Sequence, residues 1–280
     1  MSIALTSEAT PAKMPLGATI ALAYTSFVTR FVDLLRISWV WLLIAVLPLW
    51  QWFGLPDVQE LATTARSPDQ ASALWRIMMA FLAVALLGSA SIAVAWHRLL
   101  MLDRMLPFSA GNFASGRLWR YILTGLLITL IVCVPAGVAV TLVFMIAIKI
   151  APSLFSWDPV STASVYASVL VICGLALLAG ARLSLALPGL ATDQRPHSIA
   201  SAWRFGRGSS WRLFAGLTAC LVPWALGQAA PLLLQGLPDA LNEGIVGTIV
   251  NDLFAVYAIL TLQIPIAFLS HAHRFIAGRA

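Results

Sequence analysis

Charge is scarce in this sequence. It has 17 Lys and Arg and 11 Asp and Glu among 280 residues, 10% in all, where a soluble domain carries about 25%. So few charges cannot cover a water-soluble body of this length, and the soluble classes are excluded. Cysteine is scarce too. Cys133, Cys173 and Cys220 lie far apart in apolar surroundings. Their number is odd and no CxxC pair occurs, so neither a disulfide framework nor a zinc site is indicated. They read as small apolar residues. Of the four histidines, His271 and His273 stand two apart and point to different helix faces. His97 and His271 could meet across two helices, but no metal-binding spacing accompanies them. HExxH, CxxCH and Walker patterns are missing, and Gly206-Arg207-Gly208 lacks the third glycine and the preceding strand of a dinucleotide motif. No catalytic set, cofactor or metal is expected.

Long apolar runs, by contrast, are abundant. Runs without Asp, Glu, Lys or Arg cover 37–56, 77–96, 121–148, 159–181, 213–238 and 253–273, with lengths of 20, 20, 28, 23, 26 and 21 residues. A helix needs about 20 apolar residues to cross the hydrocarbon layer, and only helices or closed barrels satisfy their backbone there. Leu, Ala and Val without strict alternation favour helices. The fold expected is all-α and polytopic, with six transmembrane helices in one integral membrane domain over 1–280. The opening "MSIALTSEATPAKMPLGA" is polar and has no signal-peptide core, so the first span is expected to stay in the mature protein.

The basic residues are placed unevenly. If the segments alternate between two sides, 14 of the 17 Lys and Arg fall with the N-terminal arm, 97–120, 182–212 and the C-terminal tail. Short basic loops stay in the cytoplasm, so both termini are predicted there. The net charge of +6 then reports topology, and a nucleic-acid partner is not implied.

A repeat of about ninety residues is visible. A basic residue followed by Pro and then Gly or Ser occurs at Lys13–Gly17, Arg104–Ser109 and Arg195–Ser198, with prolines 92 and 89 residues apart. Each copy leads through an aromatic and basic stretch into a span containing Pro48, Pro135 or Pro223, and each partner span closes near Arg98, Arg182 or Arg274. The predicted units are 15–98, 107–182 and 196–274, each an interfacial helix followed by a helical hairpin. Proline at a first turn with Ser or Gly nearby suits such helix starts.

The stretch "ARLSLALPGLATDQRPHSIASAWRFGRGSSWRLFAG" at 181–216 resembles poorly characterised bacterial six-span inner-membrane proteins. It is similar to the membrane-anchor domain of glycerophosphodiester phosphodiesterases. The catalytic domain is expected to be absent, since Leu99 follows His97-Arg98 where that family has Gly, and no Glu-x-Asp follows. The resemblance implies a location in the bacterial inner membrane and carries no catalytic residue over.

Within the spans, Gln228 and Gln263 are the notable polar side chains, with Gln235 nearer an exit. They are expected to join helices by hydrogen bonds. Pro135, Pro223, Pro231 and Pro265 are possible helix breaks, which keeps a transport reading open. The candidate site is the basic collar. Arg117, Arg120, Arg204, Arg207 and Arg212 stand among tryptophans at span entrances, where Arg reaches phosphates and Trp prefers the headgroup level. These five are read as a lipid- or anion-binding set. The function expected is a non-enzymatic, lipid-interacting assembly or interaction module whose partners are anionic membrane lipids and a membrane protein. A transporter or lipid-handling permease is the alternative.

Overall fold

The structure is a computed structural model that describes residues 14–46, 68–105, 115–150, 159–194, 198–234 and 244–277. Ten helices occupy them: α1 (Leu16–Thr29), α2 (Phe31–Val46), α3 (Pro68–Leu102), α4 (Gly116–Ile150), α5 (Pro159–Leu183), α6 (Ala186–Thr192), α7 (Ile199–Phe205), α8 (Ser210–Leu234), α9 (Gly244–Thr261) and α10 (Gln263–Ala277). There is no strand among the described residues. Pro68 and Pro159 open α3 and α5, where their missing N–H has no intrahelical partner to lose. Ser198 caps α7: its Oγ accepts from the Ser201 amide at 3.2 Å, and its own amide donates to Ser201 Oγ at 3.1 Å. This is the reciprocal capping box, with Ser in the place usually held by Glu.

Four stretches are long and apolar enough to cross a membrane: Leu82–Leu102, Gly116–Lys149, Val165–Thr192 and Leu253–Ala277. They lie over the second, third, fourth and sixth apolar runs. The first run is helical through α2, and its remainder lies outside the described residues. The fifth is helical in α8 as far as Leu234, and its remainder lies outside the described residues; α8 is 25 residues long, carries Arg212 in its first turn and is not among the four.

The prolines act differently from one another. Pro135 lies inside the continuous helix α4 and Pro223 inside α8. By contrast, α9 and α10 part at Leu262, three residues before Pro265, whose ring donates no hydrogen bond and crowds the preceding turn. A second break, at Ser184–Leu185, separates α5 from α6. Ser184 closes it by donating its amide to Gly180 O at 2.9 Å and its hydroxyl to Ala181 O at 2.9 Å. Past this break, α6 continues the apolar run to Thr192.

The core is built around α10, where nine residues from Gln263 to His273 are buried. Trp96 and Leu99 of α3, Leu34 and Ile37 of α2, Leu213 and Cys220 of α8, and Ala23 of α1 pack into the same cluster as Phe268 and Ala272. A second cluster joins α3, α4 and α6 through Ala93, Val94, Leu118, Ile122 and Ala191. The α4–α5 hairpin is peripheral: 6% of the most apolar stretch of α4 is buried, against 56% for that of α3. Cys133 and Cys173 on this hairpin are accordingly exposed, and only Cys220 of the three is buried.

Close helix approach depends on glycine at two points of α8. A Cβ on Gly216 would lie 2.0 Å from Phe268 Cζ, and one on Gly227 2.4 Å from Tyr257 Cε1. The Tyr257 hydroxyl donates to Pro223 O at 2.9 Å, fixing the ring in that position. Gly216→Ala is expected to destabilise the protein by about 1–3 kcal/mol through overpacking. Gly137→Ala on α4, with nothing among the described residues within 4 Å of its Cβ position, is expected to be neutral or to stabilise by up to about 1 kcal/mol. Unfolding of both variants in mixed detergent micelles checks the pair, and equal behaviour would contradict the packing described.

Candidate functional site

One end of the bundle gathers the arginines. Arg30, at the start of α2, pairs with Asp103 just past α3 at 2.7 Å. Arg274, near the end of α10, donates to Leu100 O at 3.5 Å. Arg98 of α3 donates to Ala191 O at 3.4 Å, in the last turn of α6. Arg117, in the first turn of α4, binds Asp193 Oδ2 through Nε at 3.0 Å and through Nη2. Arg212, in the first turn of α8, donates to Met14 O at 2.6 Å. The starts of α2, α4 and α8 and the ends of α3, α6 and α10 therefore share one end of the molecule. Because Met14 and Arg30 flank α1, both ends of that helix reach it as well.

Two aspartates organise this end. Asp103 and Asp193 both have left-handed backbone, with φ of 53° and 58°, a conformation that Asp tolerates better than most side chains. At the first, the Asp103 amide returns to Leu99 O at 3.1 Å and the Arg104 amide to Arg98 O at 3.5 Å, the pattern that satisfies the last carbonyls of a helix. At the second, the Gln194 amide bonds Gly189 O at 2.9 Å. Each aspartate thus ends a helix and presents a carboxylate to an arginine at the start of another.

Of the five arginines expected in the collar, the structure brings Arg117 and Arg120 together on Asp193, the latter at 3.8 Å. Arg212 is held by Met14. Arg204 on α7 and Arg207 in the turn before α8 are exposed. Arg182 lies beneath that turn, its guanidinium 3.9 Å from the centroid of the Trp203 ring. A Cβ on Gly206 would meet Arg182 Cγ at 2.6 Å, and Gly208 has φ of 85°. The Gly206-Arg207-Gly208 sequence thus admits the Arg182 stem and turns the chain. Trp119, Trp203 and Trp211, next to the arginines, are exposed.

A polar layer lies beneath the arginines. His97 precedes Arg98 on α3, and its Nδ1 is 2.7 Å from Ser270 Oγ on α10. The Tyr121 hydroxyl on α4 lies 3.4 Å from Nε2. All three residues are buried. The Ser270 hydroxyl donates to Ile266 O at 3.1 Å, so its oxygen is left to accept from Nδ1–H, and Nε2 is left to accept from tyrosine. This network assigns the Nδ1–H tautomer. His271 faces α1 instead, with Nε2 2.9 Å from Ser26 Oγ, so the two histidines do not converge. Among the described residues, no group of three or more His, Cys, Asp or Glu could hold a metal ion.

The glutamine expectation needs adjustment. Gln263 is buried, but its side-chain amide donates to Ile259 O at 3.1 Å in the adjoining turn. The bond between helices is made by its backbone carbonyl, which accepts from the Trp96 indole at 3.1 Å beside the α9–α10 break. Gln228 is exposed, and Gln235 lies outside the described residues.

Comparison with protein families, curated proteins and solved structures gives no match to this chain. The residues that sequence reading missed are Arg98 as a buried group, Asp193, and the His97–Ser270–Tyr121 network. Asp193 did carry a signal, being an acid in a strongly basic connection. The histidine network had none, because its members are 173 and 24 residues apart.

The network predicts coupling. His97→Leu and Ser270→Ala, measured singly and together by reversible unfolding, should show an interaction of about 0.6 kcal/mol, the average for hydrogen bonds within membranes. Tyr121→Phe should cost less than Ser270→Ala, because its contact is long. The reverse order would contradict the assigned geometry.

Proposed function

We propose that the chain is a six-span, non-enzymatic integral protein of a bacterial inner membrane with both termini in the cytoplasm. Its basic collar binds anionic lipid, and the bundle serves as an assembly or interaction module. The observation that carries this reading is the convergence of helix starts and ends on one arginine-rich end. The described arginines at that end come from segments that the basic-residue count assigns to the cytoplasmic side. The exposed Trp119, Trp203 and Trp211 beside these arginines suit the headgroup level. Trp75, exposed near the other end of α3, stands 23 residues before Arg98, about 35 Å along a helix and so close to the thickness of the hydrocarbon layer.

The collar comprises Arg117, Arg120, Arg204, Arg207 and Arg212, with anionic lipid as the partner and a membrane protein as a second. The resemblance to six-span inner-membrane proteins and phosphodiesterase anchor domains belongs to this reading. So does the threefold repeat over 15–98, 107–182 and 196–274. In its favour, α1 and α7 are short helices that precede α2 and α8. Asp103 and Asp193, 90 residues apart, are paired by Arg30 and Arg117, 87 residues apart. The second copy's interfacial segment lies outside the described residues.

A second reading, a transporter or lipid-handling permease, is favoured by one observation. The α9–α10 helix is broken at Leu262 beside buried Gln263, whose Oε1 has no hydrogen-bond partner among the described residues, and broken helices line midplane sites in transporters. Solute or lipid flux in proteoliposomes above that of empty vesicles would select it over the first.

Reporter fusions after residues 15, 110, 200 and 280 are expected to report cytoplasm, and those after 62, 155 and 240 the outside. A C-terminus on the outer side would refute the six-span reading.

A further inference from the structure

The start of α4 has an unfavourable distribution of charge. The free N–H groups of a first turn favour negative charge, yet the sequence there, Gly116-Arg117-Leu118-Trp119-Arg120, holds two arginines and no acid. A third arginine comes from α3. Arg98 is only 9% exposed; its Nη1 reaches Ala191 O at 3.4 Å, and its Nε has no hydrogen-bond partner among the described residues. Its neighbours include Arg117 and Arg104, which repel it, and Asp193, which attracts it. All three guanidinium groups meet the C-terminal end of α6: Arg98 at Ala191 O, Arg117 and Arg120 at Asp193, the residue that caps it. Among the described residues that meet this end of α6, three positive charges against one carboxylate leave +2 beside the amide-bearing end of a 35-residue helix.

A charge as buried as Arg98 is costly without compensation, and Asp193 is already engaged by two other arginines. A diffuse headgroup collar gives no reason to bury an arginine. A group carrying two negative charges at one phosphorus, with three terminal oxygens for forked guanidinium bonds, would balance the cluster. A phosphodiester headgroup carries one charge and would leave it half balanced.

We propose that Arg98, Arg117 and Arg120, held in register by Asp193, form a seat for a phosphate monoester dianion at the start of α4. The seat takes either the headgroup of a phosphatidate-type lipid or free phosphate. Rotation of Arg117 and Arg120 onto the anion would let Asp193 share them, while the amides of Gly116 and Arg117 supply further donors. This inference rests on the lipid-binding collar proposed above and sharpens it to one position and one charge state. It also distinguishes α4 from α8, where Arg212 is already held by Met14.

The test is native mass spectrometry of the purified full-length protein, titrated separately with dioleoyl phosphatidate, dioleoyl phosphatidylglycerol and dioleoyl phosphatidylcholine at pH 8. The wild type is expected to prefer phosphatidate over phosphatidylglycerol by about tenfold, which is about 1.4 kcal/mol. Arg117→Gln with Arg120→Gln should abolish that preference, and Arg204→Gln with Arg207→Gln should leave it in place. If inorganic phosphate displaces phosphatidate at similar concentration, the seat accepts the free anion; if it does not, the lipid is the source. Equal binding of both anionic lipids by the wild type would overturn the seat and leave the collar standing. Binding of neither anionic lipid above phosphatidylcholine would overturn both. Equal loss in the two double variants would also overturn the seat. The wild-type preference is decisive alone if the α4 variant does not fold.

Discussion

A helix that crosses hydrocarbon must keep its charges at its ends, and this protein has few ends at which to keep them. Almost all the placed arginines therefore share one end of the bundle, where they would repel one another unless something interleaved them. Asp103 and Asp193 and the carbonyls of Leu99, Leu100, Ala191 and Met14 do so. Arg30, Arg98, Arg117, Arg212 and Arg274 each take an acceptor from another segment of the chain, so the contacts that quiet these charges also set the helices in register. The ion pairs are partly exposed, Asp193 at 48% and Asp103 at 80%, so each adds little to stability. Their role is to fix which helix end stands beside which.

Stability comes from the layers below. The polar network of His97, Ser270 and Tyr121 ties α3, α10 and α4 where the arginine end gives way to the apolar core. Deeper, α8 approaches α10 and α9 at Gly216 and Gly227, and the rings of Phe268 and Tyr257 fill the space that glycine leaves. Such close approach compensates for the weak hydrophobic drive between helices in lipid. The α4–α5 hairpin takes little part and presents its apolar surface outward.

Much of this was legible from local sequence. Where they fall on described residues the charge-free runs are helical apart from the break at Leu262, a helix begins after Ser198 in a stretch read as a helix start, and arginines with tryptophans mark the starts of α4 and α8. What could not be read depends on distant partners. Pro135, Pro223 and Pro265 look alike in sequence, yet α4 and α8 continue through the first two while a break precedes the third. There the Gln263 carbonyl finds the Trp96 indole 167 residues away. The turn at Ser184 was hidden because Leu185 to Ala191 continues the same apolar composition. Arg98 looked like one more interfacial arginine, and only the packing of α6 over it makes it a buried charge.

The central claim is that α2, α3, α4 and α6 meet through Arg30–Asp103 and Arg117–Asp193 at one end of the bundle, the end proposed above to face the cytoplasm. Its most direct test replaces Cys133, Cys173 and Cys220 by Ala and introduces two cysteine pairs, Arg30→Cys with Asp103→Cys and Arg117→Cys with Asp193→Cys. Intact and inverted vesicles are then treated with a short, membrane-impermeant bis-maleimide. The account predicts that both pairs link when the reagent is on the cytoplasmic side and that neither links from the other. Linking of the two pairs from opposite sides would contradict it, as would failure to link while each single cysteine reacts.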